Sequence, residues 1–220
     1  MVEADPDSES PVSTKQTEFD KRAIQIADIA RGFYQRGWVF GTSGNFSAVL
    51  GREPLRLAIT ESGVDKGLMT PANIVQVDEN GLVLSGAGRA SAETLLHIAV
   101  VQRRGAGAVL HTHSIWSNTL SGASASRGCI EIQGYEMLKG LAGVQTHNAR
   151  ELLPIIENSQ DIAALGAVVV RILDDYAGCH GFLIRRHGLY TWGRDLAEAK
   201  RHVEILEFLL EVTGRTGTFN

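Results

Sequence analysis

Val109-Leu-His-Thr-His-Ser114 follows Gly105-Ala-Gly-Ala108, and Ala108–His113 reads as a buried strand. Side chains alternate across a strand, so His111 and His113 share one face while Leu110 and Thr112 take the other. Two imidazoles side by side make a pair of metal ligands, and neutral imidazole suits zinc. A catalytic zinc usually takes three protein ligands and leaves one position open. The candidate for the third is His187, which follows the apolar run Phe182-Leu-Ile184. A His-x-His pair alone more often serves structure than metal. The apolar run before each histidine shifts the balance, because a buried histidine needs a partner. His97, His147, His180 and His202 have no such setting, and His97 and His202, on helices, read as structural.

Outward from this strand the pattern is mixed. Ser91 to Arg103 reads as a helix with Leu95, Leu96, Ala99 and Val100 inward, and a short helix is expected from Ile115. Toward the N-terminus, Phe46–Leu50 and Leu55–Thr60 are short strands around the turn Gly51-Arg-Glu-Pro54. Ile74–Val77 and Leu82–Leu84 flank Asp78-Glu-Asn-Gly81 as a second hairpin. A helix begins near Thr17, carries Ala23, Ile26, Ala27, Ala30, Phe33 and Tyr34 on one face, and stops at Gly37. Toward the C-terminus, Leu152–Ile156 reads as a strand, and Ser159 as the cap of a helix with Ile162, Leu165, Val169, Ile172, Leu173 and Tyr176 inward. Phe182–Arg186 and Leu189–Trp192 are strands around His187-Gly188. Asp195 with Glu198 forms a capping box for a last helix whose inner stripe is Ala199, Val203, Leu206 and Leu210. This order predicts one α/β domain with helices packed on a largely antiparallel sheet.

Composition bounds the function. The 220 residues suit one domain. The net charge of -4 gives no bulk attraction to a polyanion, so no nucleic-acid partner is expected. No apolar run reaches the length of a membrane span, and the acidic start Met1–Ser10 lacks the apolar core of a secretory signal. Residues 1–16 are expected to be a disordered tail before a domain spanning 17–220. Cys129 and Cys179 stand in no spaced motif and read as reduced thiols of a cytoplasmic protein.

Three further segments point to an anion. Gly41-Thr-Ser-Gly-Asn45 and Thr60-Glu-Ser-Gly63 are rich in glycine and hydroxyls, which offer close backbone N–H groups and extra donors. Ser91-Ala-Glu93 opens a helix, whose N-terminus attracts negative charge. Each alone is an ordinary turn or cap. Together, with Lys66 and Arg89 nearby, they make Asn45, Ser62, Gly63, Lys66 and Ser91 candidates for a phosphate site.

These residues carry a family resemblance. Ser43-Gly-Asn45, Ser62-Gly63, Ser91-Ala-Glu93, His111-Thr-His113 and His187-Gly188 resemble the class II aldolase and adducin-like superfamily over roughly residues 17–212. Gly105–Ser114, Glu136-Met-Leu-Lys-Gly140, Pro154-Ile-Ile-Glu-Asn158 and Arg185–Gly193 resemble its methylthioribulose-1-phosphate dehydratase branch. The resemblance implies a class II aldolase-like single domain, with a central sheet flanked by helices on both sides. It implies one zinc ion per subunit on His111, His113 and His187, and a homotetramer with active sites between subunits. The implied substrate is a phosphorylated keto-sugar of methionine salvage, dehydrated to a 2,3-diketone phosphate. The family's acid/base glutamate falls on Glu136, which read alone is a solvated helix residue. Glu93 matches the aldolase-type glutamate, and its role stays open between metal ligand, second base and helix-dipole partner. Ala92 departs from the aldolase pattern, which has a second hydroxyl there. The competing expectations are a sugar-phosphate aldolase or epimerase of the fuculose or ribulose phosphate type, which shares the metal and phosphate sites, and a non-catalytic adducin-like module, which the three histidines argue against.

Overall fold

A computed structural model describes residues 17–217, so the tail expected over 1–16 lies outside the described residues. Among these residues the chain forms nine strands in one sheet and five α-helices. They are α1 (Glu18–Gln35), β1 (Asn45–Arg52), β2 (Leu55–Thr60), β3 (Ile74–Asp78), β4 (Val83–Ser85), α2 (Thr94–Arg104), β5 (Ala108–Thr112), α3 (Ile115–Ala123), β6 (Cys129–Gln133), β7 (Arg150–Ile156), α4 (Ile162–Asp175), β8 (Gly181–Ile184), β9 (Gly188–Gly193) and α5 (Leu196–Gly217). The strand order is β4-β3-β2-β1-β5-β9-β8-β7-β6, and the β7–β8 pair alone is parallel. The expected α/β fold with a largely antiparallel sheet is what the chain adopts.

Strand alternation divides the core into two layers. On one face, Leu57, Ile59, Val75, Val109, Phe182, Ile184 and Tyr190 pack under Leu96, Val100 and Val101 of α2 and Leu165, Val169 and Leu173 of α4. On the other, Phe46, Ala48, Ala58, Ala108 and Leu110 meet α1 and the start of α5. Leu183 and Leu189 extend that second face onto the rest of α5. Helices therefore cover both sides, and β5 sits near the centre of the sheet with neither face in water.

Local signals explain most boundaries. Thr17 caps α1: its hydroxyl accepts from the Asp20 N–H at 3.2 Å, and the Asp20 carboxylate accepts from the Thr17 N–H at 3.1 Å. Asp195 accepts from the Glu198 N–H at 2.8 Å, but Glu198 reaches back to the N–H of Arg194, one residue before the expected partner. Two expectations are corrected, and one strand is added. The helix of Ser91–Arg103 starts at Thr94, because Ser91-Ala-Glu93 forms a separate turn closed by Thr94 N–H on the Ser91 carbonyl. The cap of α4 is Asp161, which accepts from the Ala164 N–H, while Ser159 serves the N–H of Asp161 itself. Strand β6, antiparallel to β7, was not anticipated.

The back of β5 holds a buried acid. Thr112 points away from the two histidines beside it and donates its hydroxyl to the Glu207 carboxyl on α5. Glu207 is 2% exposed, and the Ser114 hydroxyl is the other side-chain hydroxyl that acts on its carboxyl. Burial pushes this carboxyl up from 4.5 to about 7. Below 4.5 the group is protonated whether the chain is folded or not. Between 4.5 and 7 only the unfolded chain releases the proton, so stability falls as pH rises, and above 7 the loss is constant. Glu207→Gln mimics the protonated acid and is expected to stabilise the fold by roughly 2–4 kcal/mol at pH 8 and by much less at pH 5. Thermal melts at the two pH values check this, and an equal effect at both would remove the acid from the account.

Candidate active site

Two places in the chain supply the three histidines. His111 and His113 lie at and just beyond the end of β5, and His187 stands in the turn between β8 and β9. Because β5 pairs with β9, His111 opposite Tyr190, the turn closes over the end of β5. The Nε2 atoms of His111 and His187 are 3.4 Å apart, and those of His111 and His113 are 2.7 Å apart. Two nitrogens on one tetrahedral zinc would be roughly 3.4 Å apart, the separation of the first pair; the second pair stands at hydrogen-bond distance. Among the described residues, this trio forms a cluster able to hold a metal ion.

The backbone is built for this convergence. Gly188 lets the turn approach β5: a Cβ there would lie 2.0 Å from the Thr112 carbonyl oxygen and 2.9 Å from Cε1 of His111. Gly44, at φ +74°, admits the first loop against the other side, where a Cβ would meet the His111 carbonyl at 2.7 Å. Arg186, just before His187, has a φ of +52°, and its N–H is held by the Ser121 hydroxyl at 2.9 Å. Asn118 donates to the carbonyl of His187 at 2.8 Å and fixes the turn from α3.

The donor set fits a metal. The Nδ1–H of His111 donates to the Leu189 carbonyl at 2.9 Å, which leaves the Nε2 lone pair facing its neighbours. Burial, reinforced by the other histidines, holds His111 well below its ordinary range and His113 down at about 2. The imidazoles therefore stay neutral, as metal ligands must. Tyr190 stacks on His111 at 3.9 Å between ring centres and covers one face of the ring.

Glu93 joins the trio. Its two oxygens lie 3.4 Å from Nε2 of His111 and 3.5 Å from Nε2 of His187. It occupies the N-cap position of α2 but makes no capping hydrogen bond, so its carboxylate serves the cluster rather than the helix. Behind it lies a chain of buried polar groups. Asn45 Nδ2 donates to Glu93 Oε2 at 2.8 Å, Asn45 Oδ1 lies 2.5 Å from His97 Nε2, and His97 Nδ1 lies 2.7 Å from the Ser47 hydroxyl. Burial pushes His97 down to about 4 despite Glu93, so it is neutral. Sequence reading passed over His97 because a lone helical histidine carries no signal.

In front of the cluster is a cavity of about 380 Å³ walled by Asn45, Ser62, Gly63, Lys66, Ser91, Glu93, His113 and His187. Every sequence candidate for the phosphate site thus opens onto the space beside the histidines. Asn158, Ser159 and Gln160, before α4, also line it, and no site signal in the sequence points to them. Lys66 is 1% exposed, and its ammonium donates to the carbonyls of Thr42 and Val64 at 3.1 and 2.9 Å. It ties the two glycine-rich loops together and sets a cation beneath the cavity, with burial pulling its ammonium down to about 8.

Glu136 stands apart. It begins a 3-10 turn, Glu136–Gly140, with its side chain 71% exposed, and is no part of the cavity wall. Lys139 bonds its carboxylate, and His147 lies 3.8 Å from it. The lysine, with a smaller contribution from the histidine, holds Glu136 below the usual carboxylate range. The segment behind it is pinned: the Ala142 N–H donates to His202 at 3.1 Å, and its carbonyl accepts from His180 at 2.8 Å. His180 in turn faces the Glu151 carboxylate at 2.8 Å. Among the described residues no helix is long and apolar enough to cross a membrane.

Comparison with known proteins agrees with this geometry. Residues 24–213 match the family described as class II aldolase and adducin N-terminal domain. The chain is 44% identical over 200 residues to a methylthioribulose-1-phosphate dehydratase of Methylococcus capsulatus, covering 90% of this chain and 96% of that one. It is 42% identical over 193 residues to the enzyme of the same name from Hahella chejuensis, covering 87% and 92%. In fold it is similar to an L-fuculose 1-phosphate aldolase, with a TM-score of 0.75 at 20% identity over 93% of this chain and 88% of that one. From its cluster of histidines to its sheet order, the chain belongs to the class II aldolase and adducin family, within its methylthioribulose-1-phosphate dehydratase branch.

Proposed function

We propose that the chain removes water from 5-methylthioribulose 1-phosphate and releases 2,3-diketo-5-methylthiopentyl 1-phosphate, a step of methionine salvage. The observation that carries this reading is the meeting of His113, His187 and Glu93 at one wall of a cavity, with His111 buried behind them and the glycine- and serine-rich loops as other walls. The sequence identity to the dehydratases supports the choice of substrate.

The chemistry assigns work to each wall. His111, His113 and His187 are the residues that would hold a zinc ion, which supplies Lewis acidity to the ketone oxygen and its neighbouring hydroxyl. Ser62, Gly63 and Ser91 offer hydroxyl and backbone N–H donors to the phosphate, and Lys66 adds positive charge below it. Asn45 gives one N–H to Glu93 and keeps the other for the cavity. The reaction breaks the C–H bond beside the ketone, and its electron pair forms the double bond as the next carbon loses hydroxide. Hydroxide takes a proton to leave as water, and the enol becomes the diketone by moving its hydroxyl proton to carbon. Glu136 is the carboxylate for this proton traffic. It stands outside its own chain's cavity, so a neighbouring subunit delivers it, which accords with a homotetramer that places active sites between subunits. Glu93 is the second carboxylate, beside the metal. A cytoplasmic setting fits Cys129 and Cys179, neither of which forms a disulfide.

Incubation of the metal-loaded protein with 5-methylthioribulose 1-phosphate, followed by mass analysis, tests the proposal. The expected product is lighter than the substrate by one water and stays a single molecule. Two fragments from C–C cleavage would assign the site to an aldolase, an unchanged mass with altered stereochemistry to an epimerase, and no reaction to a non-catalytic module.

A further inference from the structure

The buried chain from Ser47 to Glu93 has a direction, and that direction bears on how the site works. An ionised carboxylate only accepts hydrogen bonds. Glu93 therefore requires the amide nitrogen of Asn45, 2.8 Å away. With its nitrogen spent there, Asn45 turns its oxygen to His97 Nε2, 2.5 Å away, so that nitrogen must carry the proton. His97 is neutral, so its Nδ1 is bare and accepts from the Ser47 hydroxyl at 2.7 Å. Ser47 and His97 are fully buried and Asn45 is 6% exposed, so water is poorly placed to substitute for any link. An asparagine amide has two faces of similar shape, and its neighbours alone decide which one it presents.

We infer that His97, set by Ser47, is a positioning residue that locks the Asn45 amide so that only N–H groups face Glu93 and the cavity. The elements explain why the lock is rigid. Asn45 and Ser47 lie two apart on β1 and share the face toward α2, while Glu93, the N-cap of α2, and His97 lie four apart where that helix begins. The strand and the helix thus present two groups each, in register. Released from His97, the amide can turn its carbonyl toward Glu93. Two acceptors would then face each other, and the carboxylate would swing out of line with the three histidines. The inference rests on the proposed role of Glu93 at the metal, and its test separates the two.

The test uses the metal-loaded full chain with ¹⁵N-labelled histidine. A long-range ¹H–¹⁵N spectrum at neutral pH reports the tautomer of each ring, and His97 is identified by the signal lost in His97→Gln. The expected result is His97 protonated on Nε2 and bare on Nδ1; the opposite tautomer overturns the inference. Kinetics supply the second arm. His97→Leu removes the donor and is expected to lower kcat about 10–100-fold, the scale of a small misplacement in an active site, with KM close to wild type. His97→Gln restores an N–H near the old Nε2 position and should recover most of the loss. Equal impairment in both variants makes His97 a packing residue and sinks the lock. If the wild-type chain fails to dehydrate the substrate, the functional reading falls, and the tautomer alone then decides the lock.

Discussion

In Glu136→Gln, turnover is expected to fall by about 10²–10⁴-fold, the usual contribution of a positioned general acid or base, with metal content at the wild-type level. The amide matches the carboxylate in size but neither takes nor returns a proton near neutral pH. The fold has little to lose, because Glu136 is 71% exposed and bonds only to Lys139 in its own turn, with His147 nearby. In this turn Lys139 holds the carboxylate below its usual range. Turnover and metal content of the purified variant are the measurements. Wild-type turnover would refute the role, and loss of metal would turn it into a structural one. Since Glu136 is outside its own cavity, a further outcome is expected from mixed oligomers. Subunits carrying Glu136→Gln, co-assembled with subunits carrying Glu93→Gln, should regain activity at those sites where the two intact carboxylates meet. No recovery in assembled mixtures would place both groups in one chain's site.

His113→Ala is expected to strip the metal and, with it, the activity. The ring stands just past the end of β5, so its removal leaves the core layers intact and the melting temperature of the metal-free protein nearly unchanged. The three imidazoles converge within 4.8 Å of one another, and the one other side chain beside them is the Glu93 carboxylate, a harder ligand than the lost imidazole. Loss of an outer-shell partner costs roughly 10–100-fold in affinity, and loss of a ligand costs more. Metal titration of the apo-protein and of the variant gives the ratio directly. Chelation of the wild type should abolish turnover, and adding zinc back should restore it. Better restoration by iron, manganese or cobalt would replace zinc as the working metal. Wild-type affinity in His113→Ala would show that the cluster is not the metal site.

The same residues show how far sequence carried. The His-x-His of β5 could be read because strand alternation is local: two residues decide that both rings share a face. The three loops could be read because glycine and serine advertise backbone freedom and donors wherever they fold. Strand β6 escaped although Ile130 and Ile132 alternate with Glu131 and Gln133, since a run of five residues is too short for its period to decide. Lys66 was named for its charge, but that its ammonium is folded under two loop carbonyls depends on contacts with Thr42, 24 residues away. His97 carries no sequence signal, because its meaning depends on Asn45 and Ser47, about 50 residues away and invisible to any periodicity. Glu136 rests on family resemblance alone, for in a single chain it is an exposed glutamate outside the cavity.

The seam between β5 and β9 also sets a timetable. The meander from β1 to β4 pairs neighbours in sequence and can form early, whereas His111 meets Leu189 across 78 residues. Closing so long a loop is slow, and its entropy must be met before the contacts return anything. A chain emerging from synthesis carries His111 and His113 long before His187 exists. At that stage it offers a loose two-nitrogen chelate and no finished pocket. Docking of β9 supplies the third imidazole and, in the same motion, covers the central strand. An ion that needs all three imidazoles would therefore find its site only in a chain whose sheet is complete.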